Sequence, residues 1–320
     1  MTLRILHYAA VVILATVFAG EAQAADKLHV GKASPTSDVM LPVDIGVETG
    51  IFAKHGLDVE ITTFSGGAKL HQGMAADAID IGVGAGPEFA LLAKGAEELA
   101  ICNAVGPARF LGVGVAADSK AQSAADLKGA KIGVSSNGSL TFWLALELAR
   151  VKGWGPDGVT PVTTGNDATS YVAALHTHEI DAFISTTSLS FQLEEKKEGR
   201  LLFPVTDYVG NLSAGTIFAT KKLIAANPDG VRRFLAAWFD IIAYMRANKD
   251  DTVRMTSKLT GFSTTVQAKE YDLTMPMFSK DGKFDAESLA TLKRSFADLK
   301  VLDTPPDMTK LYTEAFLPKS

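Results

Sequence analysis

The chain has 320 residues, 31 Lys and Arg against 36 Asp and Glu, and a formal net charge of −5 at pH 7. That mildly acidic balance, with no basic run, excludes nucleic acid or an anionic membrane surface as the main partner. The single cysteine, Cys102, excludes an intrachain disulfide; within the strand-like run Leu99-Ala-Ile-Cys-Asn103 it reads as a small buried hydrophobe.

At the N-terminus, Arg4 precedes a mostly apolar stretch from Ile5 to Gly20, which ends in Glu21 and the small-x-small site Ala22-Gln-Ala24. This pattern predicts a signal peptide over residues 1–24, cleaved near Ala24, and so an exported protein. No Cys follows that site to carry a lipid, and no later stretch is apolar enough to span a bilayer. The remainder, 25–320, is longer than one core usually serves, so two domains are expected.

Leu28-His-Val-Gly31 predicts a strand, followed by the cap-rich loop Ser34-Pro-Thr-Ser-Asp38. A helix carrying Val43, Val47 and Ile51 ends around Gly50 and Gly56, and Leu57 to Thr63 alternates as a strand. Ser65-Gly66-Gly67 precedes a helix from about Ala68 to Ala76; Ala78 to Val83 is the next strand; Pro87-Glu88 opens the helix after it. This β-α repeat predicts a parallel sheet with helices on its faces, whose ligands bind at the carboxyl ends of the strands. The same grammar restarts near Lys120. A strand at Lys131 to Val134 leads through Ser136-Asn-Gly-Ser139 into a helix with Leu144 and Leu148; a strand at Val159 follows, then a helix capped by Asp167, then a strand from Ile180. The last third is helical: Asn227-Pro-Asp229 caps Gly230 to Ala247, whose stripe of Phe234, Trp238 and Tyr244 is core-like, and Phe284-Asp285 precedes a helix to about Leu299.

The turns after the strands are the candidate site. Ser34, Thr36, Ser37, Ser65, Gly66, Gly67, Gly84, Gly86, Ser135, Ser136, Asn137, Ser139 and Asp167 stand at strand ends or helix starts. Hydroxyls and backbone N–H groups there suit a carboxylate, sulfonate or other oxyanion. Ordinary capping needs the same residues, so no single turn decides; several in an exported chain of two related halves favour binding.

Enzyme signatures fail. Gly112-Val-Gly-Val-Ala-Ala117 matches a dinucleotide fingerprint, but Asp118-Ser-Lys120 follows instead of a helix, and Asn211 spoils the nearest nucleophile elbow around Ser213. His176 and His178, two apart on a helix, point in different directions and predict a surface pair rather than a metal site. His55 reads as a helix-end cation and His71 as an exposed helix residue. Asp44 and Glu48 share a helix face, either as a solvated pair or as contacts for a substrate amine. No catalytic residue, cofactor or metal ligand is expected.

Several segments resemble the nitrate/sulfonate/taurine, or NMT1-like, group of periplasmic substrate-binding proteins of ABC importers. They are Glu48-Thr-Gly-Ile-Phe-Ala-Lys-His-Gly-Leu-Asp-Val-Glu-Ile61, Ala78-Ile-Asp-Ile-Gly-Val-Gly84, Leu127-Lys-Gly-Ala-Lys-Ile-Gly-Val134, Leu175-His-Thr-His-Glu-Ile-Asp-Ala182 and Asn227-Pro-Asp-Gly-Val-Arg-Arg-Phe234. The resemblance implies an α/β, two-lobed type II-like fold: two parallel-rich sheets flanked by helices and joined by two crossing hinge strands. Lobe one would be 25–115 with the helical 212–320, and lobe two 116–211. A small-molecule ligand would lie between them, held by Ser34 to Ser37, Ser65-Gly66-Gly67, Gly84 to Pro87 and Ser135 to Ser139 (Gly138 included), with Asn166-Asp167 and Thr186-Thr187 closing from lobe two. It further implies a monomeric, non-enzymatic periplasmic protein that delivers a small organic anion to an ABC permease. None of these loops holds Arg or Lys. That leaves room for a neutral or heteroaromatic ligand, stacked on Phe142 or Trp143, or for a thiamine-pyrimidine precursor. A pyrimidine-synthesising enzyme branch resembles a Cys-rich motif absent here, and a sensory module on the same fold is a further alternative.

Overall fold

Apolar strands and capped helices alternate through a computed structural model that describes residues 25–165, 167–298, 302 and 304–319; the expected signal peptide and Asn166 lie outside them. The chain begins with β1 (Asp26–Lys32), α1 (Pro42–Glu48), α2 (Ile51–Lys54), β2 (Leu57–Thr63), α3 (Gly67–Ala75) and β3 (Ile81–Gly84). A 3-10 turn at Gly86–Glu88 runs into α4 (Phe89–Ala93), and β4 (Glu98–Val105) follows. The second round is β5 (Leu111–Ala116), β6 (Lys131–Val134), α5 (Leu140–Val151), β7 (Thr160–Thr163), α6 (Ala168–His176), β8 (Ala182–Thr186), α7 (Thr187–Lys196) and β9 (Gly199–Pro204). The chain then returns through β10 (Gly215–Thr220) to α8 (Lys221–Ala226), α9 (Pro228–Ala247), α10 (Lys249–Thr260), α11 (Thr264–Thr274) and α12 (Ala286–Asp298).

The strands form two five-stranded sheets ordered β2-β1-β3-β10-β4 and β7-β6-β8-β5-β9. In the first, β1 pairs parallel with β2 and β3, while β10 runs antiparallel to β3 and β4. In the second, β6 pairs parallel with β7 and β8, while β5 runs antiparallel to β8 and β9. The halves therefore share one plan: four strands point one way, and a fifth, arriving by a crossing, points the other. Because β5 pairs in the second sheet, the chain changes lobe between Val105 and Leu111, a few residues before the expected 116, and changes back between Pro204 and Gly215. The C-terminal helices touch both lobes, with α11 against α7 and α12 against α5. Arg294 on α12 reaches the buried Glu147 on α5 at 2.8 Å, where Arg150 also binds.

The aromatic stripe of α9 is buried at Phe234 and Trp238; Phe234 stacks on Phe52 with ring centroids 5.3 Å apart. Cys102 is fully buried, as its run implies, and burial pushes its thiol pKa up. Gly112 and Gly114 lie within β5, not in a phosphate-binding turn: a Cβ on Gly114 would fall 2.2 Å from Cζ of Phe183, and one on Gly112 2.3 Å from Cδ1 of Leu201. These glycines make room for side chains. We expect Gly114→Val to overpack the second lobe and cost about 1–3 kcal/mol. The change would be measured as a lower urea midpoint at unchanged m-value.

Candidate functional site

Both sheets present their strand ends to a cavity of about 70 Å3 between the lobes. One water needs roughly 10–15 Å3 by that measure, so a small polar molecule fits. From the first lobe come Ser34 and Ser37 after β1, Gly66 and Gly67 at the start of α3, and Ala85 and Glu88 after β3. The second lobe supplies Ser135 and Ser139 after β6, Leu140 and Thr141 at the start of α5, Tyr171 on α6, and Ser185 and Thr186 at the end of β8. Phe110, Leu111 and Ala214 come from the two crossings, with Ala33 and Met40 completing the wall.

The hydroxyls at α5 form a cluster. Ser139 caps the helix by accepting the Phe142 N–H at 3.3 Å and donates to the Ser136 carbonyl at 2.7 Å. Ser135 donates to Ser139 at 2.9 Å, and the Ser135 N–H reaches Thr141 Oγ1 at 2.9 Å. Thr186 caps α7. Ser37 Oγ is buried and has no hydrogen-bond partner. Burial pushes the Tyr171 phenol pKa up.

The other expected site residues lie elsewhere. Ser65 hydrogen-bonds Lys69 at 2.9 Å, Asn137 and Gly138 are on an exposed turn, and Thr36 is half-buried outside the cavity wall. Ser136 is buried behind Gly66 with its hydroxyl unpartnered. Gly84 and Gly86 are packing positions, the first against Glu88 and the second against the Ser213 carbonyl; Pro87 sits in the 3-10 turn. Asp167 caps α6, and the hydrogen bond from the Ser170 hydroxyl leads the effects that hold its carboxyl below the usual range. Phe142 and the fully buried Trp143 do not line the cavity. Asp44 and Glu48 face cations of the protein: Asp44 accepts from the buried Lys32 at 2.5 Å, and Glu48 lies 3.5 Å from Lys258. His176 and His178 are exposed, and no group of His, Cys, Asp and Glu among the described residues is arranged to hold a metal ion.

His71 corrects the expectation of an exposed helix residue. It is 4% exposed, with Nδ1 2.5 Å from Glu98 Oε2 and Nε2 3.0 Å from Glu88 Oε2. Burial alone would lower its pKa; the hydrogen bonds and charges of Glu88 and Glu98 outweigh burial and raise it to about 9. The bond to Glu88 carries this ion cluster to the cavity wall.

A second acidic pair lies where the lobes meet. Ser188 at the start of α7 donates to Asp38 of the first lobe at 3.1 Å, and Thr187 donates to Glu270 of α11 at 2.6 Å. Burial pushes Asp38 up to about 7, partly offset by hydrogen bonds from Ser188, its own backbone and Gln267. Burial, then the charge of Asp38, raises Glu270 well above the usual carboxylate range.

A two-lobed α/β molecule with its cavity between matched sheets is a periplasmic-binding-protein fold. The chain belongs to the NMT1/THI5-like family, whose model matches residues 39–252. It is 30% identical over 219 residues to a Brucella abortus protein named as a binding protein, an alignment covering 67% of this chain and 66% of that one. It is 22% identical over 306 residues to a Bacillus subtilis protein named as an aliphatic sulfonates-binding protein, covering 94% and 90%. Among solved structures, the alkanesulfonate-binding protein of Xanthomonas axonopodis pv. citri bound to MOPS superposes with a TM-score of 0.78 at 16% identity, covering 90% of this chain and 98% of that one.

Two expectations follow from the buried charges. His71→Leu would leave two buried carboxylates unpaired and cost about 3–5 kcal/mol. In the unaltered protein the His71 contribution is complete below its unfolded value near 6.5 and is lost as pH rises through about 9, which urea unfolding from pH 6 to 10 would show. Asp38 and Glu270 ionise less readily folded than unfolded, so the folded chain holds more protons above about pH 4 and their contribution declines as pH rises, that of Asp38 up to about pH 7. Glu270→Gln should flatten that decline above about pH 4 and raise the melting temperature at pH 8.

Proposed function

We propose that the protein is the periplasmic substrate-binding component of an ABC-type importer, a non-enzymatic capture protein. The observation that carries the reading is a cavity walled by both lobes and both crossings, so that a ligand bridging the walls favours the closed arrangement over the open one. Hinge closure around ligand is a recurrent motion of such folds, and the closed form would be what the permease receives. The ligand is a small organic molecule carrying a sulfonate or carboxylate. That class is supported by the relatives named for sulfonates and by the start of α5, where first-turn amides lack intrahelical acceptors and the dipole favours negative charge. Against an enzyme with a Cys-rich motif stands the one cysteine, Cys102, closed off in the core.

A thermal-shift screen of protein purified from the periplasm, against sulfonates and aliphatic and aromatic carboxylates, tests the reading. A ligand at a hundred times its Kd stabilises by about 2.7 kcal/mol, a clear rise in Tm. The half-buried Ser34 lines the cavity, so Ser34→Trp should abolish the rise while leaving the unliganded Tm nearly unchanged. A rise that survives Ser34→Trp would place the ligand elsewhere and overturn the site.

A further inference from the structure

Among the residues that line the cavity Glu88 is the one acid, and no Lys, Arg or His stands among them. An anion bound alone would therefore face a fixed negative charge with no cation on the wall to answer it. The geometry around Glu88 is specific. The hydrogen bonds it accepts from His71 Nε2 and from the Ala85 N–H, each at 3.0 Å, both end on Oε2. Oε1 lies against Gly67, where a Cβ would fall 1.7 Å from it, and Oε2 lies against Gly84, where a Cβ would fall 2.1 Å away. Two glycines thus clear the space the carboxylate occupies.

That space is the start of α3, a helix end that would otherwise attract a ligand's anion. The protein's own carboxylate sits there instead. His71 does not answer it alone, because Glu98 claims the other ring nitrogen and one ring serves two acids. The second-lobe wall has the opposite character. It carries hydroxyls and the start of α5, and no acid. Ser37 Oγ, 3% exposed and unpartnered, adds one more hydroxyl to the cavity.

We propose that Glu88 is a specificity-determining residue that selects ligands bringing an N–H donor, an ammonium above all, to the first-lobe wall, while the ligand's acidic oxygens face α5. The ligand is then a small dipolar molecule rather than a simple anion. This rests on the capture reading and narrows it.

The test compares matched pairs by calorimetry and thermal shift: ethanesulfonate against 2-aminoethanesulfonate, propionate against 3-aminopropionate, with nitrate as the smallest anion. Wild type should bind the amino member of a pair about tenfold or more tighter than its amine-free partner. Glu88→Gln keeps the side-chain shape, and it should erase that preference while leaving affinity for the amine-free member equal or higher. Equal or tighter binding of the amine-free anions by wild type would overturn the inference and leave the capture reading standing. No binding by either set would remove both. Absence of an amino preference in wild type overturns the inference even if Glu88→Gln does not fold.

Discussion

Each sheet is completed by a strand that the chain delivers only by crossing. β10 lies between β3 and β4, and β5 lies between β8 and β9. Without β10, β4 would have no neighbour in its sheet, and without β5, neither would β9. The lobes are therefore interlocked rather than merely tethered, and the two crossing segments pass side by side through the cleft. Crossing residues make the local bonds that hold them there. The Ala214 N–H donates to the Val105 carbonyl at 2.9 Å, and the Phe110 carbonyl accepts the Thr187 N–H at 2.8 Å. The cavity sits against these segments because strand ends from both sheets converge where the crossings run.

Buried charge gathers at the ends of strands and at the helix starts beside that frame, as with Lys32 at the end of β1 and Glu98 at the start of β4. The His71 cluster ties α3, the turn before α4 and the start of β4 together, and it touches the cavity only through Glu88. Asp38 and Glu270 link the first lobe, α7 and the C-terminal helices through hydroxyls of Thr187 and Ser188. Glu147 with Arg294 does the same between α5 and α12. Buried ion pairs contribute little net stability compared with apolar packing, but removing one partner is costly. The His71 cluster braces the first lobe internally, whereas the Asp38, Glu270 and Glu147 contacts fix which surfaces meet across the lobes.

The alternation of strand and cap was legible in the chain because each turn needs residue types that announce themselves. Gly66, Ser139 and Asp167 stand at helix starts for that reason. Ser34, Ser37, Ser135 and Thr186 reach the cavity because strand ends converge there. What stayed hidden depends on tertiary approach. His71 looked exposed because its partners lie 17 and 27 residues along the chain, and no local period reports a contact at that range. Glu88 looked like part of a helix start, since Pro87-Glu88 is a common opening; its place in the cavity depends on Gly67, from another turn. Phe110, Leu111 and Ala214 carry no chemical signal at all, and only the crossing topology brings them to the site. The turn pattern singles out Gly67 and Gly84 in the sequence, but not the carboxylate they make room for.

The interlocked strands also set an order on folding. β4 ends at Val105 and its partner β10 begins at Gly215, so the first sheet cannot close until a whole second lobe has been made in between. Closing so long a segment is entropically slow, and contacts of large sequence separation are those that retard folding. The first lobe alone is a half-built sheet with β4 unpaired. The second sheet, whose strands all lie between Leu111 and Pro204, can close on its own, so the inserted lobe can be complete before the lobe that surrounds it in sequence.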